Sequence, residues 1–321
     1  MTAALAQRVE WHRDAIGAGG GRLVFAEAAW RAGAEHAPGP PGPDRLDPVV
    51  LLHGFTGSHE SWNPLLDVWS PAARVIALDL PGHGRSRCSD AAAHTMAGAA
   101  AALESLLDEL GIAACNLLGY SMGGRLARYF ALEHRDRVRR LMLESASPGL
   151  ATEQQRADRR LGDEALACYA LDSGIEAFVD RWEHTPVLAD EAELDDEVRA
   201  ELRVRRLSCS AAGLAASLRG MGTGAQPWLG ERLEEIEVPV LLVAGARDTK
   251  FSAIAQSMAA RLGAAELAQV EGAGHNVHVA RPQQLAHVLD TFISSTAAAV
   301  AGERAASDAP GSRRIGIRIQ E

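Results

Sequence analysis

Lysine is almost missing from this chain. Lys250 is the only one among 321 residues, so arginine supplies nearly every formal cation. Acids outnumber bases and leave a net charge of −10, which argues against a nucleic acid or an anionic membrane as partner. Cysteine is scarce as well. Cys88, Cys115, Cys168 and Cys209 are scattered without the spacing of a metal site, and the expectation is reduced, mostly buried thiols in a cytoplasmic protein. No apolar run is long enough to span a bilayer. Residues 1–21 mix charge with alanine and lack a continuous apolar stretch, so no signal peptide is expected. Phosphate-binding loops, dinucleotide fingerprints and zinc-type Cys/His patterns are missing too, so neither a metal nor a cofactor is expected. No internal repeat is visible.

What is present is a hydrophobic content of 47%, enough for a sizeable core. The length suits one α/β domain with an inserted subdomain, or two small domains. Residues 22–30 read as an opening strand, and residues 33–48, rich in Gly, Pro and charge, as a loop. From Val49 to about Leu143 apolar strands alternate with helices, as a parallel sheet with crossover helices requires. The strands fall at Val49–Leu52, Val75–Leu78, Cys115–Leu118 and Val138–Leu143. Thr95 to Leu110 is a helix that Gly111 stops. Alternation then ceases. Residues 148–227, bracketed by Pro148-Gly149 and Gln226-Pro227, read as a helical cap inserted after the sixth strand. The core, residues 49–147 and 228–297, resumes with a strand at Val240–Val243, a short run ending at Val270, and a last helix from about Gln283 to Ser294. Residues 1–48 form an N-terminal extension. Residues 298–321 have the composition of a disordered tail.

Gly119-Tyr120-Ser121-Met122-Gly123 is the most informative stretch. It joins a buried strand to a helix, the setting of a nucleophile elbow, where a serine stands clear of the sheet on a sharp turn. The turn puts the Met122 N–H at a helix N-terminus, where it can stabilise a developing negative charge. Other polar motifs follow other predicted strands: His53-Gly54-Phe55-Thr56-Gly57, Asp79-Leu80-Pro81-Gly82-His83-Gly84, Gly245-Ala246-Arg247-Asp248 and Gly272-Ala273-Gly274-His275. Active sites of open α/β sheets lie at this edge. The order serine, aspartate, histidine is that of α/β-hydrolases. Ser121 would give its proton to His275, whose tautomer Asp248 would fix, with the N–H groups of Phe55 and Met122 as the oxyanion hole. His53 and His83 have loop-geometry roles, and His278 sits on the turn after His275.

The nucleophile stretch Leu118–Arg125 resembles the 2-succinyl-6-hydroxy-2,4-cyclohexadiene-1-carboxylate synthase family. So do Glu144-Ser145-Ala146-Ser147-Pro148-Gly149-Leu150, Gln155-Arg156-Ala157-Asp158-Arg159, Gly245-Ala246-Arg247-Asp248-Thr249-Lys250-Phe251 and Gly274-His275-Asn276-Val277-His278. The resemblance spans roughly Val49 to Ile293. It implies an α/β-hydrolase fold, a mainly parallel sheet with helices on both faces and a helical cap. It also implies a lyase that removes a proton and expels pyruvate from a small tricarboxylate. Arg125, Arg159, Arg206 and Lys250 then match substrate-binding positions, and Tyr120 and Trp182 match positions that shape the pocket. Arginine suits such a substrate because its planar fork binds carboxylates bidentately. The expected assembly is a monomer or small homo-oligomer. Two alternatives stay open from the residues: a serine hydrolase of an ester or of a carbon–carbon bond in a diketone acid, and a ligand-binding receptor on the same scaffold.

Overall fold

The computed structural model describes residues 9–18, 20–30, 47–303 and 316–319. The chain opens on a hairpin, β1 (Val9–Ala18) paired antiparallel with β2 (Gly21–Trp30). Next come β3 (Val49–Leu52), the short helix α1 (Asn63–Leu66), β4 (Val75–Leu78), α2 (Met96–Glu109) and β5 (Cys115–Tyr120). These are followed by α3 (Met122–Glu133) and β6 (Val138–Glu144). Three long helices then replace the alternation: α4 (Glu153–Trp182), α5 (Asp196–Leu207) and α6 (Ala211–Met221). The sheet resumes with β7 (Val240–Gly245), α7 (Thr249–Ala259) and β8 (Ala265–Val270), and the chain continues through α8 (Val277–Ala280), α9 (Pro282–Glu303) and β9 (Gly316–Ile319).

The nine described strands form one sheet in the order β1-β2-β4-β3-β5-β6-β7-β8-β9. Only β2 runs against the rest, antiparallel to both β1 and β4, and every later pairing is parallel. Strand residues alternate between faces. Val50 and Leu52 accordingly join a core with Leu103, Leu106 and Phe130, while Val49 and Leu51 join a second core with Trp62, Leu65 and Phe292. Burial on both faces explains why β3 and β4 are unbroken apolar runs. The helix α2 starts where the Thr95 hydroxyl accepts the Gly98 N–H at 3.0 Å.

The inserted helices carry their own small core of Ala167, Phe178, Leu214 and Leu218. A capping box begins α4: the Thr152 hydroxyl accepts the Gln155 N–H at 3.2 Å, and the Gln155 carbonyl oxygen accepts the Thr152 N–H at 3.1 Å. Gly174, at φ 82°, kinks this helix.

Two stretches differ from what composition suggests. The last helix runs on to Glu303 rather than ending near Ser294, because alanine-rich sequence favours helix propagation. Gly316–Ile319 lies as a parallel edge strand beside β8, a pairing that local composition does not reveal. The loop expected over residues 33–46 lies outside the described residues. Among the described residues no helix is long and apolar enough to cross a membrane, and no cluster of His, Cys, Asp or Glu could hold a metal ion. All four cysteines are free. Cys115 and Cys209 are buried, whereas Cys88 is partly exposed and Cys168 is exposed.

Buried polar groups fix the loops at the carboxyl edge of the sheet. Asp79 accepts the N–H groups of His59 and Arg85, each at 2.7 Å, and so ties the loops after β3 and β4 together. His53 donates from Nδ1 to the Gly54 carbonyl at 2.7 Å and accepts the Leu80 N–H on Nε2 at 3.0 Å, which requires the neutral ring. Burial pulls its pKa down to about 4, and burial pulls that of His83 down to about 3. An unfolded histidine titrates near 6.5, so below that pH the unfolded chain binds protons that the folded chain refuses. Stability is therefore expected to be full above pH 6.5 and to fall from there towards pH 4, by about 1.4 kcal/mol per pH unit for each ring. Urea midpoints between pH 7 and pH 5 measure this. A His83→Gln protein should show a shallower fall, and an identical slope would count against the assignment.

Candidate active site

The loop between β5 and α3 holds Ser121 in a backbone conformation that side chains rarely adopt, φ 50° and ψ −107°. Close approach on both sides forces it. A Cβ on Gly119 would lie 2.4 Å from the Gly123 carbonyl oxygen, and one on Gly123 would lie 2.1 Å from that of Leu52. Only glycine lets the strand, the turn and the helix meet here, and the serine is lifted out of the sheet as a consequence.

Asp248 follows β7 and caps α7, its Oδ1 accepting the Phe251 N–H at 3.0 Å. Its Oδ2 faces His275 Nδ1 at 2.8 Å, and His275 Nε2 lies 3.1 Å from Ser121 Oγ. Burial acts to raise the Asp248 pKa, but hydrogen bonds from His275 and the Phe251 amide outweigh it and hold the carboxyl below its usual range. Ser145, also at positive φ, donates its hydroxyl to the His275 carbonyl at 2.8 Å and anchors the histidine loop from below. Three residues from separate loops thus form one continuous hydrogen-bonded line.

The N–H groups of Phe55 and Met122 donate to no protein group among the described residues, and both residues line the cavity above Ser121. Unpaired amides flanking a serine are what an oxyanion hole needs.

That cavity encloses about 200 Å³ between the core and the helical insertion. Every substrate-binding position expected from the sequence, Tyr120, Arg125, Arg159, Trp182, Arg206 and Lys250, lies on its wall. Their settings differ. Arg125 donates to the Met221 carbonyl at 2.8 Å and to Gln226 at 2.6 Å, with no acid partner among the described residues. Burial pulls its pKa down to about 10, and Arg159 nearby adds to this. Lys250 sits 5.4 Å over the Phe251 ring. Arg159, by contrast, pairs with the buried Asp163 at 2.7 Å. Arg206 meets both Glu191 oxygens at 2.7 Å and Glu183 at 3.3 Å. Trp182 packs edge-to-face on Phe55 with ring centroids 5.0 Å apart. Burial pushes the Tyr120 phenol well above its usual range, and the Glu191 and Glu144 charges add to it.

Sequence reasoning passed over several groups here. Arg205 also lines the cavity and pairs with Glu201 at 2.8 Å. Asn276 donates to Glu191, linking the histidine loop to the Arg206 pair. His278 belongs to α8, lines the cavity, and holds the fully buried Glu144 through Nδ1 at 2.8 Å. Its spacing of three from His275 was the available signal. Nothing local signalled Glu191, which reaches the site from a 3₁₀ segment, Pro186–Glu193, between two cap helices.

Comparison with known proteins follows the same line. The alpha/beta hydrolase fold family matches residues 47–282. A Bacillus subtilis (strain 168) protein, provisionally named a 2-succinyl-6-hydroxy-2,4-cyclohexadiene-1-carboxylate synthase, is 41% identical over 264 residues, which are 82% of this chain and 96% of that protein. The synthase of that name from Pectobacterium atrosepticum is 38% identical over 247 residues, 77% of this chain and 93% of its own. The solved structure of MenH from S. aureus is similar at a TM-score of 0.76 and 34% identity, over 80% of this chain and 97% of that one. With relatives this similar matched along nearly their whole length, the chain belongs to the 2-succinyl-6-hydroxy-2,4-cyclohexadiene-1-carboxylate synthase family of the alpha/beta hydrolases.

Proposed function

We propose that this protein is a carbon–oxygen lyase. It eliminates pyruvate from 2-succinyl-5-enolpyruvyl-6-hydroxy-3-cyclohexene-1-carboxylate and leaves 2-succinyl-6-hydroxy-2,4-cyclohexadiene-1-carboxylate. The observation that carries the reading is the charge of the cavity wall. Arg125, Arg159, Arg205, Arg206 and Lys250 line it and no carboxylate does, in a chain whose net charge is −10. A neutral ester has no need of five cations, whereas a tricarboxylate leaving water needs several. A water-soluble substrate of this kind also fits a cytoplasmic enzyme.

In this reading Ser121 is a base rather than a nucleophile. As its own proton passes to His275 Nε2, Ser121 Oγ takes a proton from the substrate ring. The C–H electron pair moves towards the succinyl carbonyl, where the Phe55 and Met122 amides receive the negative charge. That charge then returns to form the second ring double bond and breaks the bond to the enolpyruvyl oxygen. The departing enolate takes the proton back from His275 through Ser121 and becomes pyruvate. Atoms and charge balance without water, and no acyl-enzyme forms. Asp248 keeps the proton of His275 on Nδ1 and stabilises the imidazolium.

Ser121→Ala and His275→Ala should each lower pyruvate release by about 10²–10⁴-fold, and by similar factors, because the two act as a unit. Asp248→Asn should also be severe, since it favours the wrong histidine tautomer. A coupled assay for pyruvate on the enolpyruvyl substrate is the measurement. Near-normal release by Ser121→Ala would overturn the role given to the serine, and ester hydrolysis in place of release would favour the hydrolase.

Each cap arginine should affect both catalysis and stability, since each holds a buried carboxylate. Arg159→Ala should cost about 1.5–3 kcal/mol of transition-state binding, roughly ten- to a hundredfold in kcat/KM, and should also lower stability, because Asp163 would stay buried without its partner. Arg206→Ala should weaken catalysis and also destabilise the fold by about 3–5 kcal/mol, because Glu191 would stay buried without its partner. Steady-state kinetics and urea unfolding of the two variants decide this. Unchanged kcat/KM in both would reject the lyase cavity.

A further inference from the structure

Arg128 stands one turn beyond Arg125 on α3, inside the core rather than at the surface, and is 1% exposed. Its Nη1 donates to the Ser147 carbonyl, and Ser147 lines the cavity. Its Nε and Nη2 meet no protein acceptor, and no carboxylate pairs with it among the described residues. Burial pulls its pKa down to about 9, with Arg125 nearby adding to this. A buried, unpaired cation is expensive, and an aliphatic side chain would fill the same helix position at lower cost. Its neighbours are Phe130, Ala127 and Leu126, which are apolar and buried.

Position explains the expense. Arg128 sits directly behind two elements of the cavity wall, Arg125 on its own helix and Ser147 after β6. Arg128 does not line the cavity itself. A charge in a low-dielectric interior nevertheless acts across that distance with little screening by salt. We propose that Arg128 is a specificity-determining residue for the proposed lyase: its buried charge raises the positive potential of the cavity and favours ligands with several carboxylates. The proposal rests on the lyase reading for its substrate class and assigns the selectivity to a residue outside the cavity.

The competing account is mechanical, a tether that merely holds the Ser147 backbone. Two substitutions separate charge from tether. Arg128→Gln keeps an N–H donor and removes the charge, and Arg128→Lys keeps the charge and removes the fork. Calorimetric titration with propane-1,2,3-tricarboxylate, and with propionate as a single-charge control, reads affinity without turnover. Thermal unfolding checks that each variant is folded. Arg128→Gln should bind the tricarboxylate about five- to tenfold more weakly, with a smaller loss for propionate and an equal or higher melting temperature. Arg128→Lys should stay within about twofold of the parent. Equal affinity in all three proteins would overturn the proposal, and so would equal weakening in both variants. Failure of the parent to release pyruvate would instead reject the lyase reading, and the anion comparison among the three proteins would still stand.

Discussion

The Leu52 carbonyl oxygen and the helix that begins at Met122 come so close that nothing larger than hydrogen fits at Gly123. This contact is the constraint on which the rest of the site depends. It locks α3 against β3 and β5, and the chain between must turn within one residue, which puts Ser121 at positive φ. The same contact places the start of α3 directly after the serine and sets the direction of the helix. Arg125 and Arg128 are then carried to the cavity wall and to the space behind it. The placement of the serine, of the amide beside it and of two cations follows from one close approach. Backbone strain at Ser121 costs of order 1–3 kcal/mol, and the packed strands on either side hold it in place.

Charge is arranged on a second principle. The chain is acidic, yet the acids near the site stand behind the arginines rather than beside the cavity. Asp163 backs Arg159, Glu201 backs Arg205, and Glu191 with Glu183 backs Arg206. Pairing of this kind fixes each fork and lowers the cost of burying it. It also neutralises part of the positive potential that a polyanion would use. Arg125 and Lys250 escape this cost, since neither has an acid partner among the described residues. The wall therefore combines oriented but partly neutralised guanidiniums with two cations whose charge is undiminished.

Much of this was legible in the residues. Strands flanked by helices on both faces read as largely apolar runs, unbroken in β3, β4 and β7, so the sheet stood out. The elbow, Asp248 and His275 follow their strands directly, where chain order alone places them on one edge. What stayed hidden depends on packing between distant segments. The edge strand at Gly316–Ile319 has no periodic signal in four residues, and it pairs with the distant edge of β8. Glu191 reaches Arg206 and Asn276 from an irregular segment whose path no local rule predicts. Arg128 lies on a helix whose other buried residues mark it as core, and sequence pattern reads an arginine there as surface. Cap arginines were recognised as facing the cavity, but their acid partners were not, and the partners decide how much charge each contributes.

A serine hydrogen-bonded to a histidine that an aspartate holds does not by itself choose between hydrolysis and elimination. Nucleophile and base need the same activated oxygen, and the fold serves both. The choice falls to what the wall presents to that oxygen. Apolar walls leave a carbonyl carbon as the nearest electrophile. A ring of cations instead seats a molecule by its carboxylates, and a seated acid presents a C–H beside the carbonyl that can carry its charge. In the proposed reaction proton abstraction needs no covalent bond, because Phe55 and Met122, whose amides would receive the charge, line the same cavity as Ser121. On this argument the distinction between lyase and esterase resides in side chains such as Arg125, Lys250 and the paired cap arginines, while the strained turn at Ser121 is common ground. It follows that exchanging wall residues, with the elbow and its histidine left untouched, is the change that would move this scaffold from one chemistry to the other.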